Sequence, residues 1–133
     1  MLGELIAESH GKRTGRRVLS TDGGLKVEVS AEDSGKTLGI EANSILTYWA
    51  QTRADGSLYG EGQGVLITKD GDMATFKGQG VGKLLGGGAV SYRGAVYYST
   101  TSGKLARLNT IACVFEFDVD ADGNTHSKMW EWK

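Results

Sequence analysis

Alternation is the dominant signal along this chain. Leu25, Val27 and Val29 fall on one side of an extended run, while Lys26, Glu28 and Ser30 fall on the other. That period of two belongs to a half-buried β-strand. It returns near the end of the chain, where Ile111, Cys113, Phe115 and Phe117 share one face and Ala112, Val114, Glu116 and Asp118 share the other. Asp-Gly pairs separate such runs at residues 22–23, 55–56, 70–71 and 122–123. Asp-Gly suits a two-residue turn in which both central residues take positive φ. Each pair therefore predicts an antiparallel hairpin.

The expected strands are Leu2–Ser9, Arg16–Thr21, Leu25–Ser30, Leu46–Arg53, Ser57–Thr68, Asp72–Lys83, Ala89–Thr100, Ala106–Asp118 and Thr125–Trp132. Ser34-Gly35-Lys36 and Ser102-Gly103 read as turns, and Gly86-Gly87-Gly88 reads as a flexible break. Two-residue turns would set Trp49 opposite Gly62 and Gln63 opposite Gly78, an aromatic filling the gap a glycine leaves. No helix is expected. The weak candidate Lys36–Ile45 carries β-branched residues and Gly39, which argue against one.

Gly62-Gln63-Gly64-Val65 recurs as Gly78-Gln79-Gly80-Val81. Glycine at alternate positions leaves one strand face bare, which permits tight curvature or close approach of a backbone or ligand. Long antiparallel strands must also protect their edges, and closure does so completely. The reading is a single all-β domain over residues 1–133, a closed antiparallel β-barrel of about eight strands. A two-sheet β-sandwich is the alternative.

Composition narrows the function. The 133 residues include 21 Gly and no Pro, yet also three Trp, five Tyr and three Phe. There is no Gly-X-Y period for collagen, and the aromatics argue against disorder. Fifteen basic against 16 acidic residues leave a formal charge of −1, so no overall field draws nucleic acid or membrane. The basic run Lys12-Arg13-Thr14-Gly15-Arg16-Arg17 reads as a solvated strand end, with an anion patch as the alternative. Cys113 is the single cysteine, a buried inert thiol with no intrachain partner. The first residues show no basic leader and no long apolar stretch, so the cytoplasm is the expected compartment.

Several stretches then resemble a known group. Leu46-Thr47-Tyr48-Trp49, the run Asp55-Gly56-Ser57-Leu58-Tyr59-Gly60-Glu61-Gly62-Gln63-Gly64-Val65, Gly78-Gln79-Gly80-Val81-Gly82, Val90-Ser91-Tyr92-Arg93-Gly94 and Met129-Trp130-Glu131-Trp132 carry the likeness. They are similar to a family of small uncharacterised bacterial proteins with an eight-stranded barrel like that of plant allene oxide cyclase. The resemblance spans nearly the whole chain. It implies a barrel rather than a sandwich and implies no particular reaction.

The candidate chemistry is thin. Asp118, Asp120 and Asp122 with Gly123 copy the start of an EF-hand loop, but its twelfth position is Met129 and strands flank it. An acidic hairpin turn is the reading, with a weak calcium site as the alternative. Gly78–Lys83 lacks the Walker spacing, and there is no G-x-S-x-G elbow. His10, His126 and Cys113 are the whole soft-ligand inventory, so no metal site and no cofactor are expected.

Tyr59, Glu61 and Gln63 share a face with Val65 and Ile67. If that face lines the barrel, Glu61 becomes an ionisable group in an apolar cavity, with Arg93 as its partner. The pair could serve catalysis, form a structural ion pair, or face solvent. Tyr48, Trp49, Tyr59, Gln63, Gln79, Tyr92 and Tyr98 are the candidate ligand-binding residues, although adjacent Tyr48 and Trp49 cannot both point inward without a bulge. The leading function is a binding barrel for a small apolar or amphipathic molecule. The alternatives are a cofactor-independent isomerase or cyclase, and a filled barrel that only oligomerises. A homo-oligomer is expected, with the dimer favoured.

Overall fold

A computed structural model describes residues 1–133. Eight strands follow one another: β1 (Leu2–Ser20), β2 (Lys26–Thr37), β3 (Ile40–Thr52), β4 (Leu58–Thr68), β5 (Met73–Gly86), β6 (Ala89–Thr100), β7 (Cys113–Val119) and β8 (Asn124–Trp132). Each pairs antiparallel with the next, and β8 returns to β1, so the sheet is a closed barrel. Closure satisfies every strand edge within the sheet, which a sandwich does not do. No helix is long and apolar enough to cross a membrane.

A single 3₁₀ helix, Gly103–Thr110, links β6 to β7. It replaces the first half of the strand expected from Ala106. Leu105 and Leu108 are fully buried; three residues apart, they fall on one side of a three-residue turn. They pack with Ile6, Leu66, Val96 and Cys113 and plug one end of the barrel. A second cluster of Ala50, Leu58, Tyr92, Phe117 and Val119 lies further along the interior.

The turns are longer than Asp-Gly chemistry suggests. Arg53 N–H donates to the Ser57 carbonyl, Thr68 N–H to Asp72, and Asp120 N–H to Asn124. Each loop therefore holds three residues, and only its glycine (Gly56, Gly71 or Gly123) has positive φ. This is the three-residue hairpin closed by a left-handed glycine. The extra residue moves the register by one. Tyr48, not Trp49, stands opposite Gly62, and Gly62 stands opposite Gly78. Trp49 pairs with Glu61, and Gln63 with Lys77.

Gly87-Gly88, where a flexible break is expected, is a two-residue turn with both central residues at positive φ, +62° and +89°. So is Leu38-Gly39, at +52° and +77°. Leucine gives no turn signal, so β2, this turn and β3 hid inside Lys36–Ile45. Ser34-Gly35-Lys36 is strand, because a Cβ on Gly35 would run into the Glu8 backbone and glycine is what lets β1 lie close. The two expected N-terminal strands are one, β1.

Packing against the glycines makes a sharp prediction. A Cβ on Gly64 would overlap the Phe76 ring and come within 2.7 Å of the Ile45 carbonyl. Gly64→Ala should destabilise the barrel by roughly 1–3 kcal/mol, the usual cost of overpacking. Denaturant midpoints measure this, and an unchanged midpoint would refute the tight ring-on-wall packing.

Candidate functional site

Register decides which residues face inward. β4 presents Gly60, Gly62 and Gly64 to the interior and β5 presents Gly78, Gly80 and Gly82, with Gly60 opposite Gly80 and Gly62 opposite Gly78. Large rings from the other strands lean into the space this leaves. The Tyr48 ring meets Tyr92 and Phe117 edge-on, each at 5.7 Å between centroids. A Cβ on Gly62 would come within 2.6 Å of the Tyr48 Cβ, and one on Gly82 within 2.7 Å of the Tyr92 ring.

The filling is incomplete. A cavity of about 90 Å³ remains between Leu46, Tyr48, Phe76, Tyr92, Phe117 and Met129, and its lining is almost wholly apolar. A second void of about 60 Å³ shares Leu46, Phe76, Phe117 and Met129 with the first. Its far wall is different in kind, carrying Ser9, Asp33, Ser44, Ser127 and Tyr98.

Asp33 is the chemical centre of that wall. Val29, Ala31 and Asp33 alternate inward along β2, and Asp33 is only 9% exposed. Its Oδ2 accepts a hydrogen bond from the Ser9 hydroxyl at 3.1 Å. The Ser9 and Ser127 hydroxyls are themselves 2.6 Å apart, and Ser44 stands directly across on β3. Asp33 Oδ1 is buried and has no hydrogen-bond partner. Burial pushes the carboxyl pKa above its ordinary value, while Ser44 and Ser9 pull against the rise. A buried acceptor left unpaired costs stability; a donor brought by a bound molecule would recover it.

The tyrosines supply the opposite polarity. Burial raises Tyr92 to about 12. It also raises Tyr48, with Tyr92 adding to the shift and Arg13 opposing it. Tyr98 is raised by burial, with smaller contributions from Cys113 and Asp33. All three hydroxyls hold their protons at neutral pH. Burial likewise lifts the Cys113 thiol to about 11, which keeps it from acting as a nucleophile.

The residues singled out from sequence divide between two faces. Tyr48, Tyr92 and Tyr98 point inward. Trp49, Tyr59, Glu61, Gln63 and Gln79 point outward, because the glycines take the inner positions of β4 and β5. Glu61 is thus exposed on the outer face of β4. It accepts a 2.7 Å hydrogen bond from the Tyr59 hydroxyl, which also reaches Gln79 at 3.2 Å. The bond to Glu61 raises the Tyr59 pKa. Trp49 meets Tyr59 edge-on at 5.8 Å, and Lys26 Nζ lies 4.3 Å from the Trp49 ring centroid. Trp49, Glu61, Gln63 and Gln79 border an open outer groove. Arg93 does not pair with Glu61. Its guanidinium bridges Asp118 at 3.0 Å and Glu116 at 3.8 Å, on the outer face of β7.

The acidic loop is the β7–β8 hairpin turn. Asp120 Oδ1 accepts from the backbone N–H groups of Asp122 and Asn124, both at 2.9 Å, and these bonds lower its pKa. Asp118 sits on β7, ion-paired with Arg93 of β6. Asp33 itself went unnoticed in the sequence because the alternation was followed only to Ser30. Carried three residues further, the same period places a carboxylate on the apolar face.

No protein-family model matches this chain, and no curated protein matches it. Solved structures do. A protein of unknown function from Clostridium acetobutylicum is 11% identical, with a TM-score of 0.84 over 98% of this chain and 99% of that one. A conserved protein of unknown function from Rhodopseudomonas palustris is 12% identical, with a TM-score of 0.80 over 99% of both chains. A β-barrel-like protein from Acinetobacter baumannii is 14% identical, with a TM-score of 0.82 over 100% of this chain and 96% of that one. At such identities the likeness shows the fold alone: a closed barrel shared with small proteins of unknown function.

Asp33 makes stability depend on pH with a definite sign. Its carboxyl pKa in the folded state lies above the ordinary 3.8, so the folded chain holds this proton more tightly than the unfolded chain. The stabilisation is fully present below the unfolded value and is lost as pH rises through the folded value. Asp33→Asn abolishes that loss. The melting temperature of the variant, relative to the parent, should therefore rise between acidic and neutral pH. A difference that stays flat would mean the carboxyl is solvated.

Proposed function

We propose that the barrel interior binds a small, largely apolar molecule that carries one hydrogen-bond donor, with Asp33 receiving the donor. The observation that supports this most directly is the unpaired Oδ1 of Asp33, buried on the polar wall of a void whose other side is Leu46, Phe76, Phe117 and Met129. A buried polar atom is normally paired, and a dry apolar cavity readily accepts an apolar guest. In this reading Tyr48 and Tyr92 form the apolar wall, and Tyr98 stands beside Asp33 as a neutral donor.

Size limits the ligand class. Drug-sized ligands occupy roughly 300–1,000 Å³, far more than either void. A cavity of about 150 Å³ holds a benzene-sized guest, and the two voids together approach that. The fitting ligands are single-ring or short-chain alcohols, phenols and amines, entering with a small movement of the shared Met129 side chain.

The same carboxyl supports a second reading, a cofactor-independent isomerase. A buried acid with a raised pKa, facing a cavity, can exchange a proton with a bound substrate. Asp33 then takes the acid–base role that sequence reasoning gave to Glu61 and Arg93.

Native mass spectrometry of the freshly purified chain should reveal a retained small molecule. A thermal-shift panel of phenols, benzyl alcohols and short-chain amines should then raise the melting temperature. Asp33→Asn should weaken the shift, and Leu46→Phe, which fills the space between the voids, should abolish it while the sheet signal in circular dichroism persists. Equal shifts in parent and both variants would move the ligand off this site. Positive shifts without turnover of any bound compound favour binding over catalysis.

A further inference from the structure

Closure of the sheet gathers residues that the sequence keeps far apart. β1 and β8 meet along the seam, with Glu8 opposite Lys128 and His10 directly opposite His126. Residues two apart on a strand share a face, so Glu8, His10 and His126 all stand on the outside of the barrel. Both histidines of the chain are therefore neighbours. Their rings stack at 4.1 Å between centroids and 15° between planes. His126 Nε2 lies 2.7 Å from Glu8 Oε2, and one donor atom from each of the three residues falls within 4.8 Å of the others.

We propose that Glu8, His10 and His126 form a divalent transition-metal site that staples the closing seam of the barrel. Two imidazoles and one carboxylate suit zinc, nickel or copper better than calcium or magnesium, which prefer all-oxygen shells. Zinc sits about 2.0–2.2 Å from such donors, so tetrahedral partners stand roughly 3.4 Å apart. The Glu8–His126 pair opens slightly to admit the ion and the widest pair closes by about 1.4 Å, both within the reach of partly exposed side chains. Water completes the shell on the solvent side.

The surroundings tune the site in both directions. Glu8 Oε2 already lies 2.7 Å from His126 Nε2, so two of the three donor atoms converge on one point. Asp118 stands across from His126 on β7 and adds negative charge. Lys128 and Lys36 flank Glu8 on β8 and β2 and oppose a cation. The ligands come from the first and last strands, so metal binding favours the closed barrel over any state in which the seam has opened.

The test uses the untagged chain, since a polyhistidine tag would mask the result. Calorimetric titration with zinc chloride should show one equivalent bound, and zinc should raise the melting temperature. His10→Gln and His126→Gln should each weaken binding by more than roughly tenfold, the smallest loss typical when even an outer partner of a ligand is removed. Both variants alter partly exposed outer side chains, and circular dichroism checks that the sheet persists. Cobalt(II) gives a readout that needs no variant: bound to the parent, it should develop the visible absorption of a tetrahedral nitrogen–oxygen site. Absence of zinc binding at millimolar concentration, binding unchanged in His10→Gln, or a cobalt spectrum identical to the aqueous ion would each overturn the proposal.

Discussion

Aromatic rings lying on bare backbone hold this barrel in shape. Gly62, Gly64, Gly80 and Gly82 have no side chains, and Tyr48, Phe76, Phe115 and Tyr92 occupy the space those side chains would take. The arrangement solves two problems together. A small closed sheet must bend sharply, and glycine allows the bend. An eight-stranded barrel must also fill its interior, and rings from the opposing strands do most of that. The voids left over lie along those rings and end at Asp33, so the proposed site is a by-product of how the wall is built.

Fold class was legible because it rests on the coarsest signals: period-two alternation, frequent turn residues and abundant glycine without proline. Register was not legible, because it depends on whether a turn holds two residues or three. Asp-Gly serves both, and only the backbone dihedrals separate them. One residue of difference set Tyr48, rather than Trp49, opposite Gly62 and left Trp49 beside Glu61 on the outer face. The 3₁₀ helix was hidden for a related reason: Leu105 and Leu108 are spaced for a short helix, but their neighbours continue into a strand with strong alternation.

The site was half legible. Three of the tyrosines chosen for their aromatic character do line the interior, while the polar residues chosen for standing among glycines lie outside, since they alternate with the glycines that face in. Asp33 could have been found by extending a pattern already noticed. The pairing of His10 with His126 could not, because it requires knowing that the last strand returns to the first. Sequence distance of that kind is erased only by closure.

The strict two-sidedness of the strands also bears on what such a barrel tolerates. Identity to the Clostridium and Rhodopseudomonas proteins is only 11% and 12%, yet the matched portions span 98–99% of every chain involved. The same closed barrel is thus built from very different side chains. A single residue inserted within a strand would force a bulge or turn the rest of that strand inside out, delivering charges to the lumen and rings to water.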